Sequence, residues 1–146
     1  TGLRYGDVLG TKHGVVGYET TGRLLDFDDY QLPITRAHAN APSGEQTVVV
    51  AFTPSSNVGM GEYPASISAL SDQGDLEFIA SRLHGRIDAD SLARVRHGNS
   101  VMMVVEPFGD DGGEVVVIGT TDWAFGLGDD ADVQQVTANL LDRYLS

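Results

Sequence analysis

The chain contains no cysteine and a single lysine, Lys12, among its 146 residues. Without cysteine it has no disulfides, no thiolate nucleophile and no cysteine metal site. No apolar run approaches the roughly 20 residues that span a bilayer, and the first residues, TGLRYGD, lack the apolar stretch of a secretory leader. We therefore expect a cytoplasmic protein without a membrane partner.

Basic residues are scarce, with nine against 21 acidic residues, which gives a formal net charge of -12. Such a charge repels nucleic acids and anionic membrane surfaces, so neither is an expected partner. We attribute the scarcity of lysine and the excess of acid to a GC-rich or salt-adapted source. Composition therefore excludes partners but names none.

The length of the chain matches one domain, and we expect residues 1–146 to form a single domain. No internal repeat or long linker divides the sequence. The chain begins with Thr1 rather than methionine. We therefore expect it to be the C-terminal portion of a longer protein or a chain from which an upstream segment has been removed.

The most informative stretch of the sequence is its last fifth, residues 114–146. Residues 115–118 are β-branched throughout, as is typical of a strand buried on both faces. A polar turn at Thr120–Trp123 follows, and then a helix for which Asp129 or Asp130 is a suitable N-cap. Apolar residues recur along one face of this helix: Val133, Val136, Leu140, Leu141, Tyr144 and Leu145. The pattern predicts strand, turn and amphipathic C-terminal helix.

Two further buried strands are predicted at 47–52 and 101–105, the first of them ending before Pro54. Helices are predicted between them: one from Asp72 or Asp75 to Gly85, and a shorter one from Asp88 to Arg96. Strands interleaved with helices favour an α/β sheet over a β-sandwich. In open α/β sheets, ligands bind at the carboxyl ends of the strands, which directs attention to Thr120–Trp123.

Near the N-terminus, the sequence predicts a β-hairpin. Its strands are residues 15–19 and 23–27, joined across Thr20, Thr21 and Gly22. Residues 28–46 carry little periodicity and are predicted to be an exposed loop. A turn at 110–113 is expected to join the last two strands.

Recognised catalytic motifs are absent from the sequence, including HExxH, GxSxG, the P-loop and SxxK. His84 and His97 each precede a glycine at a predicted helix end, where the helix dipole favours an imidazolium. The acidic cluster Asp26–Asp29 lacks the glycine and the final glutamate of a calcium loop, so a solvated loop is the better interpretation. A third alternative is an acidic small-molecule or cation-binding module that uses this cluster and Glu62.

Two carboxylates at predicted strand ends remain as catalytic candidates, Glu19 and Asp122, because a carboxylate there can act as general base, metal ligand or backbone clamp. Tyr18, Thr121 and Trp123 are the neighbouring candidates for substrate binding. Structural roles compete with these assignments: Asp122 can cap the following turn, and Trp123 can fill the core while its indole N–H finds one acceptor. No metal ligand is assigned.

In this order, four motifs resemble the C-terminal part of the large (beta) subunit of the N,N-dimethylformamidase family. They are TGLRYGDVLG, VVGYE, GTTDWAFGL and DVQQVTANLLDRYL, and they lie within residues 1–20 and 114–146. Arg23 and Leu24 depart from the family pattern, in which an acidic residue more often follows GYE. The intervening residues do not carry the resemblance.

The resemblance implies a longer protein with a glutamine-amidotransferase-like (flavodoxin-like) core, to which this chain contributes the last strands and helix. Family members are iron-dependent hydrolases of dimethylformamide whose tyrosine and glutamate ligands lie upstream of the matched region. The chain itself is thus expected to hold no cofactor, with iron in the full-length protein. The expected partner is the rest of the parent chain or a partner subunit, and a homo-oligomer stays open. The alternative is a non-catalytic structural or interaction domain.

Overall fold

The computed structural model describes residues 3–4, 6–10, 20–36, 44–62, 74–109 and 112–146. The chain divides into two compact units. The first unit comprises residues 1–53 and 100–146, and the second comprises residues 54–99. This division does not test whether residues 1–146 form one domain, which stays a prediction.

The second unit contains two helices, as the sequence predicts. Helix α1 spans Asp75–His84 and ends at Gly85, whose φ of 67° is readily adopted only by glycine. Helix α2 spans Ala89–Val95. The side chain of Asp88 accepts from the Ser91 backbone N–H at 2.8 Å, and Ser91 Oγ returns the bond, which forms a capping box. The apolar residues of the two helices pack together: Leu76, Ile79, Ala80, Leu92 and Val95.

The prediction of an aspartate N-cap for α1 is wrong. The N-cap residue is Gly74, which has no side chain to cap the helix. Asp75 instead lies in the first turn, where its charge is favoured by the helix dipole. His84 ends α1 as expected, whereas His97 begins a strand, since α2 already ends at Val95. The interpretation of His97 as a helix-end residue is therefore wrong.

Hydrogen bonds to two carboxylates, those of Glu62 and Glu77, hold the loop at residues 57–62 against α1 and against Arg96 at the end of α2. Arg96 donates to both carboxylate oxygens of Glu62, at 2.5 and 2.9 Å. Glu62 also accepts from the Gly59 backbone N–H at 2.9 Å, and Glu77 of α1 accepts from the Met60 N–H. The hydrogen bond from Arg96, followed by that from Gly59, lowers the pKa of Glu62 to about 2.

This pairing predicts a pH-dependent contribution to stability. A carboxyl whose folded pKa lies below its ordinary value stabilises the fold above that value, and the contribution is lost as the pH falls to the folded pKa. We expect Glu62→Gln to lower the melting temperature slightly at neutral pH, since the pair is exposed. The difference from the unmodified protein should disappear as the pH falls from about 4.5 towards about 2. Circular dichroism melts across this range measure it, and a difference that is constant with pH would contradict the prediction.

Three strands form the larger sheet, in the order β3–β4–β5: β3 is Gln46–Ser56, β4 is His97–Glu106 and β5 is Val115–Val117. Strand β4 pairs antiparallel with β5, with Met103 opposite Val117. The end of β3 also runs opposite to the start of β4, because Asn57 N–H donates to Arg96 C=O while Ser56 lies beside His97. All three predicted strands are thus confirmed. The predicted turn at 110–113 lies partly outside the described residues and stays a prediction.

The antiparallel pairing differs from the parallel sheet of a flavodoxin-like core. The short connection from β4 to β5 imposes it, since parallel neighbours need a crossover of a dozen or more residues. Strand β3 also continues through Pro54 instead of stopping before it. Among the residues that the structure describes, β3 lies at one end of the strand order, a position where a proline costs no ladder hydrogen bond.

A small hairpin of β1, Leu25–Phe27, and β2, Pro33–Thr35, forms a second, separate sheet. The turn between them is stabilised by Asp28, whose side chain accepts from the Tyr30 and Leu32 N–H groups at 2.9 and 2.8 Å. The hairpin predicted from the sequence is a different one, in which residues 23–27 pair with residues 15–19. Residues 15–19 lie outside the described residues, so that pairing stays a prediction. The prediction of an exposed loop at 28–46 is wrong for Pro33–Thr35, which form β2. So short a strand is possible because the turn before it is stabilised by Asp28.

The first unit has its own core, built where β4 meets the C-terminal segment. Its fully or nearly buried side chains are Met102, Trp123, Val133 and Val136. The short helix α3, Trp123–Gly126, leads into helix α4, Ala131–Leu145, whose N-cap Asp130 accepts from two backbone N–H groups. Asp130 as cap is confirmed, as are Val133 and Val136 as inward residues of α4. The coarse expectation of a mixed α/β fold with a hairpin and a C-terminal helix therefore holds.

The outer part of the C-terminal segment is less buried than its pattern predicts. Val115 is exposed and Val116 and Val117 are only half-buried, although the run is typical of a strand buried on both faces. Leu141, Tyr144 and Leu145 are exposed as well. Tyr144 donates to Glu114, which raises the pKa of its phenol and ties the end of α4 to the start of β5. Within the described ranges, no helix combines the length and apolarity needed to cross a membrane.

Candidate functional site

The predicted polar turn at Thr120–Trp123 follows β5 and leads into α3, whose first residue is Trp123. The backbone of residues 20–21 lies against its start. Thr20 and Thr120 form an antiparallel bridge. Thr21 donates its N–H to the Gly119 C=O at 2.8 Å and accepts from the Val101 N–H at 2.9 Å. The structure therefore brings the residues that follow the GYE motif beside those that begin the TTDW motif.

Close backbone approach at this point depends on Gly119. Its φ is 90°, and a Cβ atom placed on it would lie 2.5 Å from the Val101 carbonyl oxygen. The buried Ser100 hydroxyl donates to the Gly119 C=O at 2.7 Å, so this carbonyl accepts from both Ser100 and Thr21. The geometry of the turn is thus fixed by backbone contacts and a buried hydroxyl.

Trp123 faces the core of the first unit, with 7% of its surface exposed. Its indole N–H donates to Thr137 Oγ1 of α4 at 2.9 Å, and that hydroxyl donates to the Val133 C=O at 2.8 Å. The indole therefore has the acceptor that a buried tryptophan requires. This placement matches the structural alternative for Trp123.

The other residues of the turn lie nearer the surface. Thr121 is exposed and Asp122 is half-buried. Asp122 is the N-cap residue of α3, where its C=O accepts from the Phe125 N–H at 3.0 Å while its carboxylate makes no capping bond. The Asp122 N–H donates to Thr120 Oγ1 at 3.2 Å. A carboxylate and a hydroxyl at this turn could bind a polar group, but they do not by themselves form a nucleophile with its base.

Tyr18 and Glu19, the remaining candidates, lie outside the described residues. Their assignment, like that of Thr121, Asp122 and Trp123, stays a prediction. The bridge at Thr20 nevertheless shows which part of the fold the chain after Glu19 joins.

Three of the acidic residues considered for cation binding, Asp26, Asp28 and Glu62, are engaged within the chain. Asp26 accepts from Arg36 Nε at 3.0 Å, and this hydrogen bond lowers its pKa. Asp28 holds its own turn, and Glu62 pairs with Arg96. Over the described ranges, no three His, Asp or Glu side chains converge as a metal ligand set.

One apolar surface of the described residues was not singled out by the sequence analysis, the outward face of β3. Side chains along β3 alternate between half-buried and exposed, and the exposed positions include Val48, Val50 and Phe52. In an antiparallel sheet with one solvated face, the outward positions are normally polar. The signal was present in the run TVVVAF, in which both alternating sets are largely apolar.

Comparisons of the chain with protein-family models, with curated proteins and with solved structures find no match.

Proposed function

We propose that this chain is a non-catalytic interaction domain that packs against the rest of a larger assembly. The observation that carries the proposal is the apolar outward face of β3. Its side chains are exposed here, with Val48 at 63% and Phe52 at 42% of their surface. Contiguous apolar surface of this kind marks an interface in soluble proteins. The sequence favours a strand buried on both faces, and a covering partner would provide the second face.

We further propose that the assembly is an N,N-dimethylformamidase-like protein, a small-amide hydrolase of which this chain is the C-terminal portion. The ordered motifs at the two ends of the chain support it, as does the bridge between Thr20 and Thr120, which joins the two matched segments. In this proposal, the parent protein has a glutamine-amidotransferase-like core to which this chain contributes the last strands and helix, and the iron site belongs to the upstream part. The chain contributes a wall of the cleft and no complete catalytic site.

A role in catalysis for the turn is the second candidate, favoured by the half-buried Asp122 beside the Thr20–Thr120 bridge. The two candidates predict different results for Asp122→Ala and Glu19→Ala. As an interaction domain, the chain should lose at most about 1 kcal/mol of stability, and amide hydrolysis by the parent protein should be unchanged. Formamide hydrolysis by the purified parent, with circular dichroism to verify folding, measures both. Lost activity in a well-folded Asp122→Ala variant would favour the catalytic role.

The size of the native gene product tests whether the chain works within a larger assembly. An antibody against residues 114–146 detects the product in source cells, and mass spectrometry of the captured protein gives its intact mass. The proposal predicts a mass well above the 15.5 kDa of this chain, or a stable complex with a partner subunit. A free-standing protein of 15.5 kDa without a bound partner would contradict it.

A further inference from the structure

We propose that the outward face of β3 and the β1–β2 hairpin form one docking groove, which receives a polypeptide segment that alternates apolar and basic residues. This inference rests on the proposed interaction function and names the surface and the chemistry of its partner. We call the surface the outer β3 groove. It is defined by the side chains of Phe27, Leu32, Ile34, Val48, Val50 and Phe52.

The hairpin and β3 meet through aromatic contact. The rings of Phe27 and Phe52 lie edge to face, with their centroids 5.8 Å apart. Between the hairpin and β3 lies an open cavity of about 730 Å³, whose lining includes Leu32, Ile34 and the residues of β3 from Thr47 to Phe52. A cavity of this size accommodates several side chains of an extended segment.

The apolar character of the groove comes from the strand register. Ile34 is the middle residue of β2 and 49% of its surface is exposed. On β3, the half-buried positions between the exposed ones include Val49 and Ala51, and Ala51 packs against the core of the first unit. Ala51 is thus already engaged by the core, whereas Val48, Val50 and Phe52 form an exposed apolar row. A segment with period-two apolar side chains matches such a row.

Charge determines which segment fits this row. The first unit carries 15 acidic and five basic residues, a formal charge of -10 out of the chain's -12. Asp7 and Asp28 line the groove itself, together with one basic residue, Arg4. A second copy of this chain would bring like charges together, as would an anionic membrane. A segment whose polar positions are lysine or arginine is attracted to the same surface.

The test uses the 146-residue chain and a short fluorescent peptide that alternates lysine with valine or phenylalanine. Two control peptides are matched to it: one replaces every lysine by glutamate, and the other replaces every apolar residue by serine. The double variant Val48→Thr/Ile34→Thr removes apolar surface with isosteric or β-branched side chains. Leu145→Thr, on α4, is the matched control for an exposed apolar residue elsewhere.

The expected result is saturable binding of the lysine–apolar peptide in fluorescence anisotropy, weakened about tenfold or more by the double variant and unchanged by Leu145→Thr. Neither control peptide should bind comparably. The assignment is overturned if the probe does not bind, if either control peptide binds equally, or if the double variant keeps full affinity. It is also overturned if sedimentation shows a dimer that the double variant dissociates, since the occupant would then be a second copy.

Failure of this assignment is distinguishable from failure of the proposed function. A larger native product with no probe binding would leave the interaction domain in place and reject the outer β3 groove. A free-standing native product of 15.5 kDa without a partner would reject the interaction domain itself, whatever the peptide does.

Discussion

Replacing Trp123 by alanine is expected to cost about 3–5 kcal/mol of unfolding free energy, the range for truncating a large buried aromatic residue. The indole contributes to the core with Met102, Val133 and Val136, and its loss opens a cavity there. It also leaves Thr137 without the donor it accepts from, although that hydroxyl keeps its bond to the Val133 C=O. Urea unfolding monitored by circular dichroism measures the change.

Phe125→Ala is the matched control, because Phe125 lies on the same short helix but 67% of its surface is exposed. Its cost should stay within about 0.5 kcal/mol, as for other surface substitutions. Trp123→Phe should be intermediate, since it keeps most of the apolar volume and loses one hydrogen bond worth about 1 kcal/mol. If Trp123→Ala were as stable as Phe125→Ala, Trp123 would not be a core residue and its role at a binding site would gain support.

Gly119→Ala is expected to be the most damaging glycine substitution in the turn. An alanine in this left-handed backbone conformation lowers the free energy of unfolding by about 1–3 kcal/mol through strain. Overpacking against the Val101 carbonyl lowers it by about 1–3 kcal/mol more. The added Cβ atom would clash with the backbone carbonyl group of Val101, and because neither group can rotate away, no side-chain rotation relieves the clash. Separating Gly119 from Val101 would also weaken the contact with residues 20–21, because Thr21 hydrogen-bonds to the backbone of both residues.

The control for Gly119→Ala is Gly113→Ala, because a Cβ atom at Gly113 meets no atom within 4 Å. This control should be neutral or slightly stabilising, through reduced freedom of the unfolded chain. Thermal melts of the two variants, with the unmodified protein, give the comparison. Equal melting temperatures for both would show that the close approach at Gly119 does not exist in solution.

The helices could be predicted from the sequence because their signals are local. Gly85 ends α1, Asp88 and Asp130 begin α2 and α4, and each signal acts within one turn of its helix. The strands β3, β4 and β5 were found from β-branched runs for a similar reason. Strand β2 was missed since only three residues pair, and the turn at Asp28 stabilises the pairing.

Strand direction and burial could not be predicted in the same way, because they depend on residues distant in sequence. Residues 115–117 are typical of a strand buried on both faces, yet Val115 is exposed, since nothing in its own sequence determines what covers it. The same holds for Val48, Val50 and Phe52. In the proposed function, a covering partner accounts for this difference between pattern and structure.

The candidate site was predictable only as a position. The predicted strand and turn place Thr120–Asp122 directly after β5, but the sequence did not indicate the short helix α3, which begins at Trp123. The direction of the Trp123 side chain was not predictable, because it depends on Thr137 and Val133 of α4. Nor did the sequence indicate that residues 20–21 lie against the turn, since a hairpin with 23–27 was the nearer pairing.

The measurement that tests the central claim most directly is hydroxyl-radical footprinting of the native gene product, purified under native conditions, against the isolated 146-residue chain. Phe52, Phe27 and Ile34 report on the outer β3 groove, and Phe125 is the exposed internal reference. The account predicts that the three groove residues are labelled several-fold less in the native product, while Phe125 is labelled equally in both. Equal labelling of Phe52 in the two samples would show that nothing covers the outer β3 groove and would contradict the account.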